Sequence, residues 1–258
     1  MPVSATQYLI VRELFEHGLL PKNGALLEIG EAHWCNNANP LDMVGDIKRL
    51  ITEPARRDAL VNRLEAIVDK REPGMGFDVA QVFYELFFAP LEMRAVDFQG
   101  SRRALRLALN GPLALDRRFD VVLNQRTAEH VFNIAQVFKT IHDYTTPLGM
   151  MIHESTLSGW TDNGFYILQP TLFFDLAEIN HYQMCGMFIE DTARGTTHRI
   201  TTRNDVYEFA EAGQIPDGSL LFTVLTKSAV DREFAFPMQG YYRNTLGTIG
   251  MEAWRYLR

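Results

Sequence analysis

Arg118–Phe119–Asp120–Val121–Val122–Leu123–Asn124, with Gly149–Met150–Met151–Ile152–His153–Glu154 downstream, decides how this chain folds. Each stretch is a short, nearly unbroken apolar run that ends on polar residues. A strand covered on both faces needs consecutive apolar positions, not alternating ones. Between the two runs, Val131, Ile134, Val137, Phe138 and Ile141 recur at spacings of three and four, which places them on one face of a helix. Strand, helix and strand in this order build a parallel pair, because parallel neighbours need a crossover.

The same alternation extends outward. Ala25–Leu26–Leu27–Glu28–Ile29–Gly30 and Met93–Arg94–Ala95–Val96–Asp97 read as earlier strands. Gln183–Glu190 and Ser219–Lys227 read as the last two, with a short third strand expected near Leu107–Asn110. Helices are expected from Ala5 to about His17, from Pro170 to Asn180, and repeatedly within residues 41–90. Residues 191–218 are polar and are expected to hold one short helix near Asp205–Ala212. The pattern implies an α/β fold, Rossmann-like, with a mostly parallel sheet and helices on both faces. Residues 1–258 are expected to form a single α/β domain, with 31–90 as a helical insertion or lid within it.

Composition agrees with a globular chain. Of 258 residues, 47% are hydrophobic and 22% charged, which excludes disorder and coiled coil for the whole. The formal net charge of −7 argues against a dedicated nucleic-acid binder, which carries a basic face. Cys35 and Cys185 are too few and too far apart for a disulfide framework or a structural zinc site. The opening segment lacks a signal pattern, since Arg12 and Glu13 interrupt its apolar stretch, and no apolar run is long enough to span a membrane. A cytoplasmic protein with no nucleic-acid or membrane partner is therefore expected.

In open α/β sheets, ligands bind beyond the carboxyl ends of the strands. The first candidates are therefore Glu28–Ile29–Gly30–Glu31, Asp97–Phe98–Gln99–Gly100, Asn124–Gln125–Arg126–Thr127 and His153–Glu154–Ser155. Glycine at a strand end lets a ligand approach the backbone, and a carboxylate ending the next strand suits a ribose diol. No glycine-rich dinucleotide or P-loop motif follows a strand. His130 and His153 are candidate bases, because an unperturbed imidazole titrates near neutrality, and Glu154 beside His153 is a candidate to orient it. His142, late in its helix, reads as structural. No His-x-x-x-His or His-x-x-x-Glu pair occurs, so no metal site is expected. Convergence of His33, His130, His153, Glu31 and Glu154 is the arrangement a metal-assisted enzyme would need. The aromatic loop Ser155–Tyr166 can wall a small-molecule pocket, and Phe234–Tyr242 can close it or pack a homo-oligomer, but aromatic segments of this kind more often belong to a core or an interface.

Leu26–Gly30, the strand ending in Asp97, and Phe119–Asn124 resemble the first, second and fourth motifs of class I S-adenosylmethionine-dependent methyltransferases. Thr127–Asn133, Ile141–Asp143, Ile152–Glu154, Gly164–Tyr166 and Gln169–Phe173 are similar to a bacterial methyltransferase-like subgroup. The resemblance implies S-adenosylmethionine as cofactor. It implies that Glu28 and Gly30 border the methionine part, that Asp97 holds the ribose, and that Asn124 and Gln125 lie beside the sulfonium. The acceptor would be a small polar molecule, methylated at oxygen or nitrogen. Glu31–Ala32–His33–Trp34 follows Gly30 where the family continues with glycines, and Ala108 stands where an acid meets the adenine amine. These departures imply the alternative, a methyltransferase-like fold with a decayed donor site acting as a binding or assembly protein.

Overall fold

The structure is a computed structural model that describes residues 2–35, 38–247 and 250–252. The chain forms two compact units, residues 1–107 and 108–258.

In chain order the first unit contains β1 (Pro2–Val3), α1 (Ala5–Glu16), β2 (Ala25–Ile29) and β3 (His33–Trp34). It continues with α2 (Met43–Leu50), α3 (Pro54–Lys70), α4 (Met75–Phe87) and β4 (Glu92–Val96). Ser4 caps α1, its hydroxyl accepting from the Gln7 N–H at 3.0 Å. Pro54 opens α3, where a missing N–H costs nothing. β2 and β4 run parallel, with Glu28 opposite Ala95 and Ile29 opposite Val96. Parallel strands cannot be joined by a tight turn, and here α2, α3 and α4 all lie within the crossover. Residues 31–90 are thus the connection of the first strand–helix–strand unit. Every residue of β2 is buried, so both of its faces are covered. Tyr8, Trp34, Phe83 and Phe87 make the adjoining aromatic core, with ring centroids 5.3–6.2 Å apart.

The second unit contains β5 (Phe119–Gln125), α5 (Ile134–Tyr144), β6 (Thr145–Thr156) and α6 (Pro170–Asn180). β7 (Gln183–Asp191), β8 (Thr196–Ile200), α7 (Arg203–Glu211) and β9 (Ser219–Thr226) complete it. β5 and β6 are parallel across the α5 crossover. β9 comes back between β6 and β7, antiparallel to both, and β8 forms a hairpin with β7. Thus β5, β6 and β7 share one direction, and β9 and β8 oppose it. The fold is α/β and Rossmann-like, with a mostly parallel core.

Two details differ from the sequence reading. β8 lies in the stretch read as polar connection. Thr196, Thr197 and Arg199 are exposed, so this edge strand carries no apolar pattern that would announce it. No strand forms at 107–110; only a single bridge pairs Val96 with Leu105. No helix among the described residues is long and apolar enough to cross a membrane.

Candidate functional site

In the first unit the strand ends come together as the sequence implies. Gly30 takes φ +83°, a left-handed conformation open to glycine, and its N–H donates to the Val96 carbonyl at 2.9 Å. The Asp97 carboxylate follows directly on β4. One of its oxygens accepts from the Glu31 N–H at 3.0 Å and the other from the Gln99 N–H at 2.7 Å. Glu28 is buried, and its Oε1 accepts from the Ala32 N–H at 3.0 Å and the Tyr84 hydroxyl at 2.9 Å. Burial pushes the Glu28 carboxyl up to about 8, against the pull of those two donors. At neutral pH it is therefore mostly protonated and offers a hydrogen bond, not a charge.

Glu31, in the sequence one of several strand-end polar residues, has a larger part in the structure. Its buried carboxylate turns into the loop after β4, where it accepts from the Ser101 N–H and, at 2.8 Å, from the Ser101 hydroxyl. Arg106 fastens the same loop by donating to the carbonyls of Asp97 at 2.8 Å and Gly100 at 2.7 Å.

In the second unit Asn124 and His153 are neighbours in register and both are buried. The Asn124 Oδ1 accepts from the Ala128 N–H at 3.0 Å, fixing the turn after β5, and its amide lies 3.4 Å from Nδ1 of His153. The His153 ring sits between Phe138, at 5.6 Å, and Phe173, at 5.2 Å. Burial lowers this imidazole to about 3, so it stays neutral. From the sequence, Glu154 is the candidate to orient His153. The structure corrects this: adjacent strand residues point to opposite faces, and the ring's partner is Asn124.

Gln125, Glu154 and Glu190 occupy the other face of the same sheet. Gln125 is opposite Glu154, Glu154 opposite Phe222, and Phe222 opposite Phe188, two residues before Glu190. Glu129, in the turn Ala128–His130, accepts from the Thr156 N–H at 3.4 Å. Arg126 takes φ +52°, rare for a side-chain-bearing residue, and lays its guanidinium 4.4 Å over the Trp160 ring. Burial raises the Glu129 carboxyl to about 7. Burial and the neighbouring Glu190 raise that of Glu154, while burial and the Arg126 charge lower His130. The aromatic loop is tacked onto this turn. Phe165 and Tyr166 both donate their N–H to the Glu129 carbonyl, at 2.9 and 3.2 Å. Glu129 and Glu190 are not among the candidate residues that the sequence offers; a tertiary turn and a neighbouring strand bring them to Glu154. Among the described residues, no group of three or more His, Cys, Asp or Glu is arranged to hold a metal ion.

No family model and no curated protein sequence matches this chain. Solved structures similar to it include the N-methyltransferase NodS from Bradyrhizobium japonicum, at 9% identity and a TM-score of 0.46. That match covers 86% of this chain and 94% of NodS. Another is the O-methyltransferase of a trans-AT polyketide synthase multienzyme from Brevibacillus brevis, solved with S-adenosyl-L-homocysteine. It is 11% identical, with a TM-score of 0.40, over 86% of this chain and 72% of that one. At identities this low, no residue role passes from those proteins to this chain.

Proposed function

We propose that this protein is an S-adenosylmethionine-dependent methyltransferase acting on a small polar molecule at oxygen or nitrogen. One observation carries the reading. Each Asp97 oxygen holds a single backbone donor, which leaves acceptor capacity on both for a ribose diol. Asp97 is only half-buried, and Phe98 beside it is 64% exposed, an aromatic face free to meet a base. Gly30 provides the backbone notch, and Glu28 a neutral hydrogen-bonding group for the methionine part.

When bound, the sulfonium supplies the methyl group by in-line displacement, so most of the acceleration comes from holding donor and acceptor in contact. In the second unit, Asn124 and Gln125 set the strand end. His130, half-buried and held neutral by burial and by Arg126, is the base that takes a proton from the acceptor. His153 acts through Asn124 as a positioning residue. Calorimetric titration with S-adenosylmethionine and S-adenosylhomocysteine tests the proposal; folded protein that binds neither at millimolar concentration would remove it.

A second reading, a methyltransferase-like fold kept for binding or assembly, is favoured by Glu31. Its buried carboxylate lies against Gly100 in the loop after Asp97 and accepts from the Ser101 hydroxyl. The same titration separates the two readings.

A further inference from the structure

The face of the second unit that carries Gln125, Glu154 and Glu190 has an excess of buried acid over base. Glu129, Glu154 and Glu190 are 0%, 1% and 2% exposed, and Arg126 is an adjoining cation. Both oxygens of Glu154 are buried with no hydrogen-bond partner, as is Oε2 of Glu129. Leaving a buried carboxyl oxygen unpaired costs more than a typical hydrogen bond returns, so three in one place call for donors from elsewhere. Arg126 does not supply them: its guanidinium lies on Trp160 and its Nε is itself unpartnered. Three of the unpaired atoms are carboxyl oxygens that accept, beside the unpaired Nε of Arg126, and a metal-holding arrangement is lacking among the described residues. A group that carries several N–H donors and a positive charge answers this need.

The loop that follows β6 lies directly on this turn. At Gly164 an added Cβ would lie 2.9 Å from the Glu129 carbonyl oxygen and 3.1 Å from Nδ1 of His130, so the loop backbone lies flush on the turn. The Tyr166 hydroxyl donates to the Phe132 carbonyl at 2.8 Å, and the Trp160 indole to the Ser219 carbonyl at 2.8 Å.

We propose that Glu154 and Glu129 bind the protonated amine of a small organic molecule beneath the 157–168 loop. Identifying that amine as the methyl acceptor rests on the proposed methyltransferase activity; its binding does not. Binding replaces three unmet acceptors with charge-assisted hydrogen bonds.

The test titrates the full-length protein with methylammonium and benzylamine, and with benzyl alcohol and benzoate as neutral and anionic counterparts. The amines are expected to bind and to raise the unfolding temperature, while the alcohol and the acid do neither. Glu154→Gln is expected to weaken amine binding about tenfold or more. Glu129→Gln is the second variant should the first misfold, with the same expected direction. Equal binding of alcohol and amine, no binding of either amine, or unchanged affinity in both variants overturns the proposal and leaves the cluster to water. S-adenosylhomocysteine binding, measured on the same samples, keeps the two readings apart. Amine binding without it sinks the donor assignment alone, and the reverse result sinks the amine site alone.

Discussion

The backbone N–H of Glu31 donates to Oδ2 of Asp97 at 3.0 Å, joining two strand ends 66 positions apart in the chain. The bond orients the Asp97 carboxylate, and the Glu31 side chain meanwhile holds the loop beyond it through Ser101. One short segment thus sets both the acid that would receive a ribose and the loop that borders it. The proposed donor site is therefore stiff before any ligand arrives.

Asp97→Ala should cost donor affinity. Hydrogen bonds to a charged acceptor contribute about 1.5–3 kcal/mol, or roughly ten- to a hundredfold in binding. Asp97→Asn, which keeps one acceptor oxygen, should fall between the two. Calorimetric titration with S-adenosylhomocysteine reads the order, and equal affinity for all three proteins would refute the assigned role.

Gly100 should tolerate no side chain. A Cβ there would lie 2.6 Å from Oε2 of Glu31, 2.8 Å from Cβ of Ala104 and 3.0 Å from Cβ of Asp97. The carboxylate is itself buried and bonded, so it cannot swing aside without losing Ser101. Gly100→Ala is expected to destabilise by about 1–3 kcal/mol, in the range of overpacked sites. Gly45→Ala is the control. It lies inside α2 with nothing within 4 Å of an added Cβ, and should gain about 0.5–1 kcal/mol. Urea unfolding of both variants checks the contrast.

The sequence made the first strand ends legible because Glu28, Gly30 and Asp97 all punctuate apolar runs. The role of Glu31 was hidden, since its partner Ser101 lies far along the chain in a loop without pattern. Strand alternation alone separates His153 from Glu154, a rule that reading the pair as neighbours overlooks. β8 escaped notice because an exposed edge strand pays little attention to hydrophobic period. Glu129 joins the acid cluster through a tertiary turn, which no local spacing encodes.

Stability should rise as the solution is acidified from pH 8 toward 5. The Glu28 carboxyl titrates near 8 in the folded protein and near 4.5 when free, so the folded state holds a proton over that interval. The stabilising contribution is complete below the unfolded value and is lost as pH climbs through the folded one. Glu129, raised to about 7, acts in the same sense. His153, lowered to about 3, acts in the opposite one: its contribution is full above 6.5 and fades as pH falls below it. Glu28→Gln retains an acceptor for Ala32 and Tyr84 but cannot titrate. It should flatten the slope between pH 5 and 8 and be more stable than the parent at pH 8. Unfolding midpoints measured across that range decide it, and parallel curves for the two proteins would contradict the assignment.

Lys227 should be the costliest lysine to replace. It is 2% exposed, and its Nζ donates to the carbonyls of His142 at 2.9 Å and Thr145 at 3.1 Å, and to the Asp231 carboxylate at 3.1 Å. α5 ends at Tyr144, where its dipole favours a cation; the His142 carbonyl also accepts from the Thr145 N–H, and Lys227 adds a charged donor to it and to the Thr145 carbonyl. Lys227→Met keeps the buried stem and removes every donor of the ammonium group, leaving the His142 carbonyl with the Thr145 N–H alone, and is expected to cost about 2–4 kcal/mol. Asp231→Ala should cost far less, because that carboxylate is 44% exposed and screened by water. The ordering separates capping from ion pairing. If the lysine acted mainly through its ion pair, the two variants would lose similar stability in urea and 0.5 M salt would erase the loss; if it acts as a cap, the methionine variant falls well below the alanine one at either ionic strength.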